Sequence, residues 1–426
     1  MITQTDIVIV GCGVAGLYCA LKQPKDRKVI IVTKDLAPRS DSFLAQGGIC
    51  VLHDPEDYDA FFEDTMRAGH YENNKESVDI MIRSSRAVIE DLVGYGARFA
   101  KKGEAFDYTK EGAHSRPRIL YHEDETGKEI TSHLLEAVLA LENVTLIESY
   151  TMVDILVHDG ECRGIVGQDR DGSYSQILAD YTVLATGGIG GLFEHSTNYR
   201  HLTGDALAVA LRHGIRLQNI DYIQIHPTTF YDEKAEREFL ISESVRGEGA
   251  ILLNSRGERF VDELQPRDVV AQAILREMKK EGSKHVWLSL APIPEQEIKT
   301  HFPHIYQHCL EAGYDVTKES IPVVPSQHYF MGGIAVDRYS KTSMDRLYAV
   351  GETACNGVHG RNRLASNSLL ESLVFAGRAA EQMNATYQKP ASYTPAPVDA
   401  REYQNYQENY KRSVLEAIEK ERESHE

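Results

Sequence analysis

A short β-branched run, Asp6 to Val10 (DIVIV), leads straight into GCGVAG at Gly11 to Gly16 and then into a helical pattern that continues to Leu21. Pro24 stops that helix and Lys28 to Val32 (KVIIV) reads as the next strand, so the amino terminus is a βαβ unit. The glycine spacing alone is a weak signal, but a buried-type strand before it and a helix after it make it a dinucleotide-binding turn. Gly11 permits the tight turn, Gly13 lets a pyrophosphate approach the backbone, and Gly16 lets helix and strand pack closely. Val14 and Ala15 open a helix whose N-terminus favours phosphate. The second strand ends at Thr33-Lys34, where NAD-binding folds often place an acidic residue for the ribose hydroxyls. NAD is thereby disfavoured, and Lys34 reads either as a cation along a cofactor or as a solvated strand-end lysine.

The next segment, DSFLAQGGI from Asp41, is small, polar and glycine-rich, suited to bring backbone N–H groups against a flat ring or a phosphate. His53 to Ala100 reads as amphipathic helical scaffold. Tyr108 to Arg118 carries Glu111, His114, Arg116 and Arg118, a charge density that suggests a functional loop. After a helix over Thr131–Leu141 come short strands at Thr145–Glu148, Val153–His158, Cys162–Gln168 and Tyr174–Leu178, then Tyr181–Ala185 running into Thr186-Gly187-Gly188. Short antiparallel strands ahead of a buried strand ending ATGG are a layout of two-dinucleotide-type flavoprotein folds. Thr203-Gly204-Asp205 opens a helix over Ala206–His213.

From Ile220 to about Gln327 aromatic and charged residues intermix and prolines recur, which reads as a separate α+β lid. Leu347–Val350 then forms a strand into Gly351-Glu352, and Ala365–Gly377 a buried helix belonging to the first domain. A proline-rich linker from Pro390 precedes a charged helix, Glu402–Glu423. The expected division is 1–219 and 330–389 for the two parts of the nucleotide domain, 220–329 for the cap and 390–426 for the linker and last helix.

Charge limits what such a cleft can bind. The 46 Lys and Arg against 64 Asp and Glu leave a net charge of −18, which argues against a nucleic-acid footprint. No apolar run reaches the ~20 residues that span a bilayer, and MITQTDIVIV lacks a signal peptide's basic start, so a soluble, cytoplasmic protein without membrane contact is expected. Six scattered cysteines without CxxC spacing fit buried thiols in a reducing compartment rather than a metal site. An anionic ligand would therefore need local cations. Candidates lie in Ile225-His226-Pro227-Thr228, Ser242-Glu243-Ser244-Val245-Arg246-Gly247-Glu248-Gly249, Pro266-Arg267-Asp268, His328-Tyr329 and the segment holding Arg363. Two histidines, a hydroxyl-bearing segment and arginines can together bind a dicarboxylate. Singly, Arg246 and Arg267 could instead pair with Glu248 and Asp268, and the histidines could be satisfied core residues.

The motifs GCGVAG, SFLAQGG, EGAHSRPRIL, ATGG, TGD, HPT, RGEGA, PRD, HYFMGG, GE and RNRLASNSLLE occur in one order over roughly Asp6 to Gln382. In that order the chain resembles the succinate dehydrogenase and fumarate reductase flavoprotein family, most closely its L-aspartate-oxidising branch. The resemblance implies an α/β fold, an FAD-binding Rossmann-like (two-dinucleotide-type) domain with an inserted α+β capping domain. It implies bound FAD with Gly11, Gly13, Val14, Ala15 and Gly16 at the pyrophosphate, and Lys34, Ser42, Phe43, Ala45, Gln46, Gly47 and Gly48 along the cofactor. Val153, Ala185, Thr186, Gly187, Gly188, Asp205 and Glu352 would complete the cradle, with Ser368 and Leu369 near the flavin. Covalent members carry a histidine where this chain has Asp41, so FAD is expected to be non-covalent.

Glu111 matches a glutamate that meets the substrate ammonium in the aspartate-oxidising branch, where the dicarboxylate-only members carry an uncharged residue. The implied reaction transfers hydride from C2 of L-aspartate to flavin N5, giving iminoaspartate for quinolinate synthase at the first step of NAD biosynthesis, with O2 or fumarate reoxidising the flavin. His226, His328 and Arg363 would hold the carboxylates, with Ser242 and Glu243 lining the pocket. Arg267 would donate a proton to fumarate, which for an arginine demands a dry site with relay carboxylates such as Glu243 or Glu248. A fumarate reductase without need of the amino group, or a non-catalytic flavoprotein, are the competing readings. The branch usually continues into a further helical domain, so a short form is expected here.

Overall fold

The computed structural model describes residues 2–425, leaving Met1 and Glu426, the ends of the first and last expected segments, outside the described residues. Ile2–Val10 lies between Val29–Val32 and Tyr174–Leu184, parallel to both, and Val144–Ile147 extends the parallel set beyond Val29–Val32. Leu347–Ala349 joins the far edge of Tyr174–Leu184, also parallel. The carboxyl ends of these strands thus release Gly11, Thr33, Ala185 and Val350 on one side of the sheet, where doubly wound folds place their ligands.

Tyr174–Leu184 is one strand, not the two expected at Tyr174–Leu178 and Tyr181–Ala185. One edge pairs with Ile2–Val10 along its length, while the other changes from antiparallel pairing with Glu161–Gln168 to parallel pairing with Leu347–Ala349. Asp180, which falls between the two expected strands, keeps its backbone in the strand and accepts a hydrogen bond from Tyr387 at its carboxylate. The other elements shift at their ends. The helix expected from Thr131 begins at Thr126, and Gly127 in its first turn lets Ser42 lie against it: a Cβ there would stand 2.1 Å from the Ser42 carbonyl oxygen.

A second, antiparallel sheet takes the order Phe239–Leu240, Ile223–Phe230, Ile321–Phe330, Val286–Ser289, Ile251–Leu253. The helix Arg267–Glu281 packs on it, and Phe230, Val245, Leu252, Ile274, Leu288 and Ile305 build a core separate from that of the parallel sheet. The last helix, Tyr406–His425, is charged outward but buries Tyr406, Tyr410, Val414 and Ile418, a stripe at four-residue spacing that seats it on the helix Asp205–His213. All six cysteines are free and buried. Among the described residues no helix is long and apolar enough to cross a membrane.

Candidate active site

A cavity of about 310 Å3 runs from the GCGVAG turn to the face of the second sheet. At its first end Gly11 has φ +114°, and a Cβ there would come 2.0 Å from the Ala185 carbonyl oxygen. Two strand-end turns are thereby pressed together beneath the helix Val14–Leu21, whose Val14 N–H donates to Ser42 Oγ at 3.1 Å. Gly16 lies against the Gly11 carbonyl and Gly188 against Glu352, each too close for a side chain. Lys34 pairs with Asp205 at 2.7 Å and donates to Thr203 Oγ1 at 3.0 Å, so this cation and anion hold each other at the wall.

Of the residues expected at the site, all but Gly16, Val153 and Gly188 line this cavity. The two glycines serve packing. Val153 departs from expectation: its side chain is in the core, and its carbonyl accepts the Tyr410 hydroxyl at 2.6 Å, leaving Thr151 and Met152 at the wall. Val153 falls in a register shift of its strand, between Met152 and Asp154, and such irregularities re-aim side chains.

Several polar atoms along the wall are buried without any protein partner: Ser40 Oγ, Asp41 Oδ2, Gln46 Oε1, His226 Nε2 and Arg363 Nε. Native folds satisfy such groups, so these donors and acceptors fit a long polar ligand and an anionic one beside it. Burial pushes Asp41 up to about 7, although Tyr199 N–H donates to it at 3.0 Å. Glu352, buried and near Asp41, is pushed up to about 8.

At the other end, the second sheet presents two histidines through irregular pairing. His328 falls in the register shift between Gln224↔Tyr329 and Ile225↔Gln327, and His226 opens the next shift, before Thr229. Such bulges re-aim side chains. The two rings lie 5.0 Å apart. Burial, with the nearby Arg267, holds both far below the usual histidine range, so they are neutral. His328 Nδ1 bonds Thr197 Oγ1 at 2.7 Å and His226 Nδ1 accepts Thr228 N–H at 3.1 Å.

Arg267, first residue of its helix, donates through Nε to Glu243 and through Nη1 to Gln224 Oε1 at 2.9 Å. Arg246 also faces Glu243, at 3.6 Å, and donates to the Glu263 carbonyl at 2.6 Å. These partners replace the sequence-near pairs: Glu248 meets His301 at 2.9 Å and Asp268 meets His70 at 3.0 Å, so Glu248 is not beside Arg267. Arg363 lies over the Tyr329 ring at 4.4 Å and donates to Ser368 Oγ at 3.0 Å. Burial, and then Arg267, pull it down to about 10. Opposite them Glu111 is buried, pushed upward by burial and by Glu243. Its loop neighbours are structural rather than functional: Arg118 is fully buried between Asp57 and Asp64, and His114 bonds Arg118 and the Ala365 carbonyl. Gln224, Thr197, Ser244 and Ser366 went unrecognised in the sequence; Ser244 and Ser366 lie within quoted motifs, while nothing distinguishes Gln224 or Thr197.

Glycine turns at strand ends, an extended polar wall and a cationic end define a nucleotide-cofactor oxidoreductase of the flavoprotein class. The family described as FAD binding domain matches residues 6–369. An L-aspartate oxidase of Clostridium perfringens is 52% identical over 380 residues, 89% of this chain and 86% of its own length. One from Clostridium acetobutylicum is 50% identical, covering 89% and 88%. Among solved structures, an E. coli quinol fumarate reductase FrdA variant superposes with a TM-score of 0.85 at 29% identity, over 99% of this chain and 74% of that one. The chain belongs to this FAD-binding family, and within it to the L-aspartate oxidases.

The cradle predicts its own most sensitive point. Gly11→Ala must relieve a contact of 2.0 Å with Ala185 and a positive φ together. Strain of this kind costs about 1–3 kcal/mol, so FAD affinity should fall by about 10- to 100-fold. Titration of the apoprotein with FAD by flavin fluorescence checks it.

Proposed function

We propose that this protein oxidises L-aspartate to iminoaspartate with non-covalent FAD as electron acceptor, the product going on to quinolinate synthase in NAD biosynthesis. The observation that carries the reading is the single cavity in which the glycine cradle, the cationic end and the buried Glu111 carboxylate meet. FAD, when bound, supplies the two-electron acceptor, and O2 or fumarate removes the electrons afterwards. Asp41, a carboxyl with no nucleophilic nitrogen, supports a cofactor held without a covalent bond. Residues 220–329 act as the cap over the cofactor domain, and six buried free thiols support a reducing cytoplasm.

The chain's own part is orientation. Arg363 offers a fork to one carboxylate, and neutral His226, with Nε2 free, donates a further hydrogen bond. His328 is held in place by Thr197. Glu111 meets the substrate ammonium; succinate or fumarate would leave that carboxylate unpaired. Glu243, drawn below the usual carboxylate range by Arg267 and Arg246 against its burial, stays anionic and holds Arg267 over the reacting carbons. In the fumarate direction Arg267 hands over a proton, and Glu243, hydrogen-bonded to it, is placed to relay one taken up from solvent back to it.

Anaerobic addition of L-aspartate should bleach the flavin spectrum, and succinate at equal concentration should bleach it at least about tenfold more slowly. No bleaching by L-aspartate would remove the reading, and equal rates would favour a general dicarboxylate oxidoreductase.

A further inference from the structure

Glu111 is an isolated buried acid: among the described residues no lysine, arginine or histidine lies within ion-pair distance of it, and both its oxygens are taken by hydroxyls. Ser244 Oγ donates to Oε1 at 2.8 Å, and Ser366 Oγ to Oε2 at 2.5 Å. Gly47 closes the remaining side, since a Cβ there would stand 2.4 Å from Oε1. Three segments far apart in the chain thus fix one carboxylate, while each oxygen keeps a second lone pair for another donor.

Ser366 reaches Glu111 at a conformational cost. Its φ is +61°, uncommon for a residue with a side chain. The segment is clamped there: Cys50 N–H donates to the Ser366 carbonyl at 3.0 Å, and His114 Nε2 bonds the Ala365 carbonyl at 3.0 Å. Strained residues that the surroundings over-determine concentrate at functional sites. Ser244 stands in the first turn of Glu243–Gly247 and receives the Ser242 hydroxyl at 3.2 Å, which links Glu111 to the cavity wall.

We propose that Ser366 and Ser244 are positioning residues that hold Glu111 toward the substrate's amino group, and thereby set the preference for an amino dicarboxylate over a plain one. The inference rests on L-aspartate being the substrate. Without the two hydroxyls, Glu111 would face only burial and Glu243 on one side, and Arg267 and Arg246 on the other, beside the Cys50 thiol. Both hydroxyls favour the ionised carboxylate, so their loss moves its protonation to higher pH. The ammonium then loses its partner, whereas a plain dicarboxylate does not.

The test uses the FAD-loaded protein as wild type and as Ser366→Ala, Ser244→Ala, Ser244→Thr and Glu111→Gln. KM for L-aspartate is followed across pH, and fumarate affinity through the perturbation of the flavin spectrum. Either serine-to-alanine change should raise the L-aspartate KM about tenfold relative to the fumarate dissociation constant. It should also move the acid-side loss of L-aspartate affinity to higher pH, with Ser244→Thr restoring the wild-type ratio. In the Glu111→Gln background, Ser366→Ala should add nothing further. Equal losses for both ligands, or effects additive with Glu111→Gln, would overturn the positioning role alone. A wild type that L-aspartate does not bleach would overturn both this inference and the function beneath it.

Discussion

Arg267→Leu is expected to lower fumarate reduction by about 10³-fold, the order of one positioned proton donor, while the purified protein keeps its flavin colour. Arg267 reaches Glu243 through one nitrogen and Gln224 through another, from the first position of its helix. Leucine removes both bonds and leaves the buried Glu243 with Arg246 alone, at 3.6 Å. Arg267→Lys should rescue little, because one ammonium cannot reproduce a fork that spans two partners. Turnover measured with a reduced dye and fumarate decides the matter. Unchanged turnover would take Arg267 out of the chemistry, and loss of flavin colour would assign it to the fold instead.

The largest expected loss of stability lies outside the chemistry, at Arg118. Its guanidinium is fully buried and bidentate to Asp57, at 2.9 Å through Nε and 2.9 Å through Nη2, with a third bond to Asp64 at 2.8 Å. Arg118→Leu strands the buried Asp57, whereas Asp64 keeps Arg67 at 2.6 Å and Ser115, and removing one partner of such a buried pair costs about 3–5 kcal/mol. Tm should fall by about 3–6 °C in thermal scans of the FAD-loaded protein. Arg118→Leu combined with Asp57→Asn should recover part of the loss, since a neutral amide in place of one stranded charge needs only hydrogen bonds. A double variant no more stable than the single one would mean that lost packing, rather than uncompensated charge, dominates.

Arg118 also marks a limit of reading charge density as function. Glu111, His114, Arg116 and Arg118 crowd one loop, yet only Glu111 lines the main cavity, while Arg118 and His114 brace the loop beneath it. The same limit appears at Arg246 and Arg267, whose nearest acids along the chain are not their partners; both face Glu243. Ala365 to Gly377 reads as one helix from its apolar pattern, but the helix begins at Ser368, leaving Ser366 in the left-handed region.

What the sequence determined by itself is local: the GCGVAG turn between strand and helix, and the glycines that admit a neighbouring carbonyl. His226, Arg267, His328 and Arg363 were legible as residue types, but the two histidines lie within strands and are neutral, and Arg267 opens a helix. These follow from conformational limits within a few residues and from burial patterns that repeat along one element. Only the tertiary structure decided which groups meet. Ser366 and Glu111 are 255 positions apart, Ser244 and Glu111 133, and Val153 gives its carbonyl to Tyr410 across 257. Periodicity states which face of an element is covered, not what covers it. The hydroxyls and bulges that aim the site come from strands and loops brought together only when the second sheet closes over the first.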